Sequence, residues 1–395
     1  MLEKLCGRRV LVTGGSGFIG GQLVARLAKE CQSNVRVLVR RFGSAARISR
    51  FPVELVQGDI SSPEDIDRAV TGCDLVFHCA YGKDGNDRAR RHATVAGAEN
   101  VLAASLRHNV SRIVYASTFS VYGELTTSHL DETAPRRITG DTYGDSKVEA
   151  EEVAFRYWRQ HRVPVSIVQP TIVYGPFGFS FTVNPLQQLR TGRLPLVNGG
   201  SGRCNAVYVD DVVTAMLLAA VRDEAVGEAF LVSGPQPVTW RDFYGSYEHM
   251  LGVSATVSMT PDEALAHYYA SQPGSTSLVG EALRLLGDRH VRERLASTRE
   301  GAWIASGLRA ALPRRVRQTL TARVKAAARE TPAGGPREPP AKIHPVRPAR
   351  IRLFAAPTAV QIGKASRLLG YEPRFDLHAG MALTREWARW ADLVA

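Results

Sequence analysis

Cysteine is scarce and unpatterned in this chain. Five occur among 395 residues: Cys6, Cys31, Cys73, Cys79 and Cys204. The number is odd and no pair has C-x-x-C spacing, which excludes a disulfide scaffold and the usual zinc arrangements. Reduced thiols and no structural metal are expected. Long apolar runs are missing as well, since nothing approaches the roughly 18 consecutive apolar residues that a membrane-spanning helix needs. The opening MLEKLCGRRVLVTGG has neither the continuous apolar stretch nor the small-residue cleavage site of a secretory leader, so a cytoplasmic location is expected. Lysine is short too, seven of the 50 Lys+Arg residues. Acid is short in one place only. From Gly301 to Arg352 there are 12 Lys/Arg against Glu330 and Glu338, so this segment holds +10 of the formal charge of +12. The remainder is near neutral and contains no basic recognition module, so nucleic acid is not an expected partner.

What is present is a rhythm. Short β-branched runs, VLVTG (10–14), RVLVR (36–40), VELVQG (53–58), LVFHC (75–79), RIVYAS (112–117) and PVSIVQP (164–170), alternate with stretches of helical spacing at 20–30, 63–70, 94–108 and 143–161. Near-continuous apolar strands belong to a sheet buried on both faces. Their alternation with helices predicts an α/β fold, a doubly wound parallel sheet of the Rossmann type, with a smaller C-terminal substrate lobe. The expected organisation is a dinucleotide-binding domain over 1–176 and a segment contributing to both lobes over 177–260. A basic helical insertion with a Pro-rich linker would cover 261–357, and the end of the substrate lobe 358–395. Seven prolines between Thr331 and Pro357 favour an extended or mobile linker there.

TGGSGFIG (13–20) follows the first strand and opens the first helix. Gly14 permits the tight turn, Gly17 lets the backbone approach a pyrophosphate, and Gly20 lets helix and sheet lie close. The free N–H groups of that helix would receive the phosphate. At the end of the second strand an acid would accept hydrogen bonds from the ribose 2′-hydroxyl of NAD, but this chain has Arg40 and Arg41, suited to the 2′-phosphate of NADP. NADP is therefore favoured over NAD, with solvated surface arginines as the alternative.

TYGDSK (142–147) places one of the few lysines four residues after a tyrosine. On a helix Tyr143 and Lys147 share a face. A phenol with an unperturbed pKa of about 10 is a poor base at neutral pH, and a nearby ammonium favours its ionised form. With these residues in view, the chain resembles the extended short-chain dehydrogenase/reductase family, which includes nucleotide-sugar epimerases, dehydratases and related reductases. The resemblance covers roughly 8–251 and 358–391, through TGGSGFIG, QGDI, HCA at 78–80, YASTFSVYG at 115–123, YGDSK, QPTIVYGP at 169–176 and VYVDDV at 207–212. It implies that Thr118 hydrogen-bonds the reacting oxygen, that Tyr143 moves the proton, and that Lys147 also binds the nicotinamide ribose. It places Phe18, Ile19, Asp59, Ile60, Cys79, Ala80 and Pro170 along the cofactor, Asp59 at the adenine and Pro170 at the nicotinamide. Asp59 could instead be a turn former and Pro170 a strand end. Asp210 and Asp211 are expected to cap the helix that follows.

The resemblance implies hydride exchange between a nicotinamide and a secondary alcohol or ketone. Phe119 and Ser120 stand where the family's 4,6-dehydratases carry an Asp-Glu pair, which disfavours dehydration. Gln169 replaces an arginine of many sugar-nucleotide members and puts diphosphate recognition in question. Expected is a nucleotide-sugar epimerase or ketoreductase acting on a small molecule, with Arg203 and Asn205 as candidate substrate residues. The alternatives are a reductase of a steroid-, flavonoid- or polyketide-like ketone, and a dinucleotide-binding sensor or scaffold without turnover. A homodimer is expected from the family. After Pro313 a basic amphipathic helix, with Val316, Leu320 and Val324 on one face, could touch an anionic membrane through 301–352 or simply pack on protein.

Overall fold

The computed structural model describes residues 2–272 and 342–394. The chain forms two compact units, Met1–Leu265 with Ile343–Ala395, and Ala266–Lys342. Of the second, only 266–272 and 342 are described, so the basic amphipathic helix expected after Pro313 lies outside the described residues.

In chain order the strands are β1 (Arg9–Thr13), β2 (Asn34–Val39), β3 (Val53–Gln57), β4 (Leu75–His78), β5 (Arg112–Ala116), β6 (His129–Leu130), β7 (Val165–Pro170) and β8 (Ile172–Tyr174). They continue as β9 (Leu194–Val197), β10 (Arg203–Cys204), β11 (Ala206–Tyr208), β12 (Ala229–Val232), β13 (Val238–Thr239), β14 (Thr256–Met259) and β15 (Ala359–Val360). Seven of them build one sheet, ordered β12-β7-β5-β4-β1-β2-β3, with every neighbouring pair parallel.

The helices are α1 (Phe18–Lys29), α2 (Pro63–Val70), α3 (Asp87–Arg107), α4 (Thr142–His161), α5 (Asn184–Thr191), α6 (Val209–Val221), α7 (Trp240–Leu251) and α8 (Pro261–Ser271). After the gap come α9 (Pro348–Ala355), α10 (Gly363–Leu369) and α11 (Leu377–Trp390). Successive strand residues point to opposite faces, so each strand feeds two cores. Val10 and Val12 of β1 meet α1 and α6 through Leu23, Val24, Val212 and Met216. Leu11, between them, meets the layer of α2, α3 and α4 through Ile66, Val101 and Ala150. The strand order reverses between β1 and β4, and such a switch leaves a crevice at the strands' carboxyl ends.

The second lobe has its own core. Trp240, Phe243 and Tyr244 on α7 are fully buried with Tyr174 and Phe354, and the Trp240 and Phe354 rings lie 4.5 Å apart. Phe354 belongs to α9, inside the stretch expected to be a Pro-rich linker. That expectation fails for 348–355. Pro348 sits in the first turn of a helix, where its missing N–H costs nothing, and Ile351 and Phe354, three apart, bury one face. The first unit therefore resumes at Ile343, earlier than the expected 358. Around this departure and return, β14 pairs with β9, and Ile343 bridges Arg193 just before β9.

Two buried polar side chains fasten the C-terminal stretch. Asn205 Nδ2 donates to Thr358 O at 2.9 Å and its Oδ1 accepts from Val360 N at 2.9 Å. Asp211 accepts from the Arg374 and Phe375 amides at 2.9 and 3.1 Å. Replacing Asn205 by Ala strands a buried carbonyl and a buried amide, and should lower the unfolding free energy in urea by on the order of 2 kcal/mol.

Candidate active site

A cavity of about 1540 Å³ opens at the carboxyl ends of the central strands. That exceeds the ~300–1,000 Å³ of an ordinary single-ligand pocket. Its glycine end is formed by the β1–α1 turn. Gly14 has φ +70°, and a Cβ there would lie 2.7 Å from Ala80 N. At Gly20 a Cβ would lie 2.3 Å from Gly14 O, so only glycine lets α1 approach the turn. Gly17 is the N-cap of α1 and no side chain caps its amides, which leaves first-turn N–H groups for an anion. Gly14, Gly17, Phe18, Ile19 and Gly20 all line the cavity. So do Asp59, Ile60, Cys79, Ala80 and Pro170. Asp59 is also a turn former, its Oδ1 accepting from the Ser61 amide at 2.8 Å and hydroxyl at 2.6 Å. Burial pushes the Cys79 thiol up to about 12, so it stays protonated.

Arg40 and Arg41 line the same cavity where β2 ends. Arg40 forms an ion pair with Asp84. The sequence pattern missed a third arginine. Arg47 also lines the cavity, its guanidinium 3.9 Å from the Phe177 ring centroid while donating to Gly17 O and Phe18 O at 3.3 and 3.2 Å. Burial lowers its pKa to about 10, with Arg50 adding repulsion. Its only sequence signal was an arginine soon after a strand that ends in two others.

The triad is assembled by β5 and α4. Asp141 caps α4, its Oδ2 accepting from Gly144 N at 2.8 Å, which sets Tyr143 in the first turn and Lys147 one turn on. Thr118 follows β5 and opens a short 3-10 turn by accepting from Ser120 N at 3.2 Å. All three side chains line the cavity. Lys147 is 2% exposed. Its ammonium donates to Ala116 O at 2.8 Å and Tyr115 OH at 3.3 Å, and lies 5.5 Å from the Tyr81 ring centroid. Burial brings its pKa down to about 8, against weaker pulls from Cys79 and Glu151.

The phenol itself opens on the cleft. Tyr143 is 41% exposed onto the cavity, yet the enclosing walls push its pKa well up, and Tyr81 adds to the rise. The group acting in the opposite direction is the Thr118 hydroxyl, through a hydrogen bond. The Lys147 ammonium is held by the β5 carbonyl at the cleft floor, and the Thr118 hydroxyl also donates to Ser120 Oγ at 3.2 Å.

Four further residues depart from the sequence reading. Arg203 is exposed and joins β10 to the Ala356 carbonyl, and Asn205 holds the C-terminal stretch; neither lines the cavity. Gln169 points away from the cleft. It is fully buried, accepting from Tyr122 OH at 2.8 Å and donating to both oxygens of Glu151 at 2.8 and 3.0 Å. Its identity therefore bears on a buried network and not on diphosphate recognition. Asp211 does not cap α6, because its carboxylate is spent on Arg374 and Phe375. The segment 177–181, which runs into a π-helical turn over Phe179–Val183, and α9 complete the wall, with Phe179, Phe181, Ala349, Arg350, Arg352 and Leu353 lining it.

A doubly wound sheet with a glycine turn at the strand switch and a Thr-Tyr-Lys set beside it defines a nicotinamide-dependent oxidoreductase class. The model of the NAD dependent epimerase/dehydratase family matches residues 10–233, and the chain belongs to that family. It is an NAD(P)-dependent oxidoreductase. Among similar proteins is the 4-hydroxy-2-methyl-3-oxo-4-farnesyl-3,4-dihydroquinoline-1-oxide ketoreductase of Stigmatella aurantiaca, 30% identical over 65% of this chain and 77% of that protein. Another is the 2-alkyl-3-oxoalkanoate reductase of Stenotrophomonas maltophilia, 29% identical over 59% and 73%. In fold the chain is similar to an epimerase of Methanothermobacter thermautotrophicus, TM-score 0.68 at 20% identity, covering 99% of this chain and 96% of that one. No helix among the described residues is long and apolar enough to cross a membrane.

Two outcomes are expected. Tyr143→Phe removes the proton carrier and should cut turnover by about 10²–10⁴-fold, with cofactor affinity within a few-fold by fluorescence titration. Lys147 has a folded pKa of about 8 against an ordinary lysine value of 10.5. An unfolded chain then binds more protons between those values, so its contribution to stability is complete above the unfolded pKa and is lost as pH falls through about 8. Buried thiols such as Cys79, whose pKa is raised, lose stability in the upper part of the same window, so the check is a difference: the urea midpoint of the cofactor-free wild type relative to that of Lys147→Met should rise with pH between about 8 and 10.5.

Proposed function

We propose that the protein is an NADPH-dependent ketoreductase whose substrate has an apolar body. The observation that carries this reading is the wall beyond the triad, to which Phe119, Leu125, Phe177, Phe179, Phe181 and Leu353 contribute. A nucleotide sugar presents a diphosphate and a ring of hydroxyls, which need fixed polar partners; an aromatic and aliphatic wall suits hydrocarbon. The names of the two reductases similar to this chain, one acting on a farnesylated quinoline and one on an alkyl-oxoalkanoate, point the same way.

The residues fit a nicotinamide dinucleotide. Gly14, Gly17 and Gly20 leave the cradle open, the uncapped start of α1 would take the pyrophosphate, and Asp59 and Ile60 would border the adenine. Support for the 2′-phosphate comes from Arg40, Arg41 and Arg47, with no acid at the end of β2. When bound, the nicotinamide supplies hydride to the carbonyl carbon. Tyr143 gives its proton to the carbonyl oxygen, so ketone becomes alcohol. Thr118 donates a hydrogen bond to the same oxygen while it gains charge, and Lys147 stabilises the phenolate that remains. Tyr143 is protonated at neutral pH, as any phenol with a pKa of about 10 or above is, which is the state a reductase needs.

The test is a panel of long-chain 3-oxo esters, bicyclic ketones and nucleotide sugars, followed by oxidation of NADPH and of NADH. Consumption of NADPH with the apolar ketones, at a kcat/KM at least tenfold above that with NADH, is expected. Epimerisation of a nucleotide sugar by firmly retained NAD, with no net oxidation of added NADPH, would replace this reading.

A further inference from the structure

Among the described residues, the apolar wall includes a cation on α9 that no carboxylate neutralises. α9 reads PARIRLFA and has no acidic residue. Ile351 and Phe354 bury one of its faces, and Ala349, Arg350 and Leu353 turn another toward the cavity. Arg352 reaches the rim, where its Nε lies 2.7 Å from a Glu124 carboxylate oxygen, both side chains about half exposed. Arg350 is different. It is half-buried, and its guanidinium lies 5.1 Å from the Phe181 ring centroid. Among the described residues no carboxylate pairs with it.

A guanidinium over an aromatic ring keeps its N–H donors for another partner, in a fork that matches a carboxylate or phosphate bidentately. The ring also fixes the side chain, which lowers the entropy lost on binding. Within a cleft lined by Phe179, Phe181 and Leu353, the attraction to an anion is screened less than at an open surface.

We propose that Arg350 forms an anion subsite in this wall, so that the substrate is an amphiphile: a hydrocarbon body bearing the reacting ketone, and an acidic headgroup held by Arg350. This rests on the apolar-ketone reading of the same site and narrows it to acids. The subsite selects substrate and takes no part in proton or hydride movement.

The experiment measures binding, so it does not depend on finding the reaction. Dodecanoate, dodecyl phosphate, dodecanol and uridine diphosphate are titrated calorimetrically against the full chain, with and without NADP. Dodecanoate or dodecyl phosphate should bind at least tenfold more tightly than dodecanol, and whichever is tighter names the headgroup. Arg350→Gln should weaken that anion by roughly 10- to 100-fold, the range for losing a charge-assisted bidentate contact, and leave dodecanol within twofold, which also shows that the wall is intact. Arg350→Lys should fall between, and Arg352→Gln should change little because Arg352 already has Glu124. Equal binding of dodecanoate, dodecyl phosphate and dodecanol overturns the proposal. So does indifference of the anions to Arg350→Gln, or loss of uridine diphosphate alone. Should the amphiphiles bind through Arg350 while no apolar ketone is reduced, the reductase reading falls and the subsite stands.

Discussion

The active end of this molecule depends on one buried ammonium. Lys147 is almost wholly enclosed, and its direct hydrogen-bond partners are a backbone carbonyl and a phenol, neither of them charged. Taking an ammonium out of water without a counter-ion is costly, and the lowered pKa expresses that cost. The nearest acid along the same helix face, Glu151 one turn on, is committed to Gln169 and, at 3.3 Å, to Arg136. The lysine is thus left with an unspent charge at the floor of the cleft, where an ionised phenol or a dinucleotide could use it. Such a group stays in place only if its surroundings are rigid. β5 supplies the carbonyl, the cap at Asp141 fixes the helix start, and the packed layer of α3 and α4 holds the helix against the sheet.

The same division of labour runs through the rest of the site. Backbone features do the close work at the glycine end, where any added carbon would strike Gly14 O or Ala80 N. Side chains do the discriminating work at the other end, where the wall comes from a loop and a short helix of the second lobe. A scaffold of this kind can keep its reaction while changing its substrate, because the two sets of residues come from different parts of the fold.

Much of this was legible in the sequence, for physical reasons. Strands buried on both faces are written as near-continuous apolar runs, so six of the seven central strands could be read to within two residues of their ends. The glycine turn and the Tyr143–Lys147 spacing were legible because each demands particular residue types at fixed intervals. α9 was hidden because proline is used there to begin a helix, which composition alone cannot tell from a linker. Arg47 was hidden because it reaches the cleft from beyond the strand end, with no motif to mark it. Asn205 and Gln169 were misjudged because a polar side chain that ties two buried backbones looks, in one dimension, like one that awaits a ligand. That the Lys147 ammonium meets Ala116 O and Tyr115 OH was not legible, since it depends on how α4 packs against β5.

One feature of the second lobe bears on how such a chain could be remodelled. β14, before the 266–342 unit, and Ile343, after it, both attach to the same short strand region, β14 along β9 and Ile343 beside Arg193. At about 3.3 Å per strand residue, the four steps from Arg193 to Val197 amount to about 13 Å. The strand that precedes α8 and the residue that resumes the first unit are thus anchored on one ribbon, so a change of chain length between them leaves the path of the catalytic scaffold as it is.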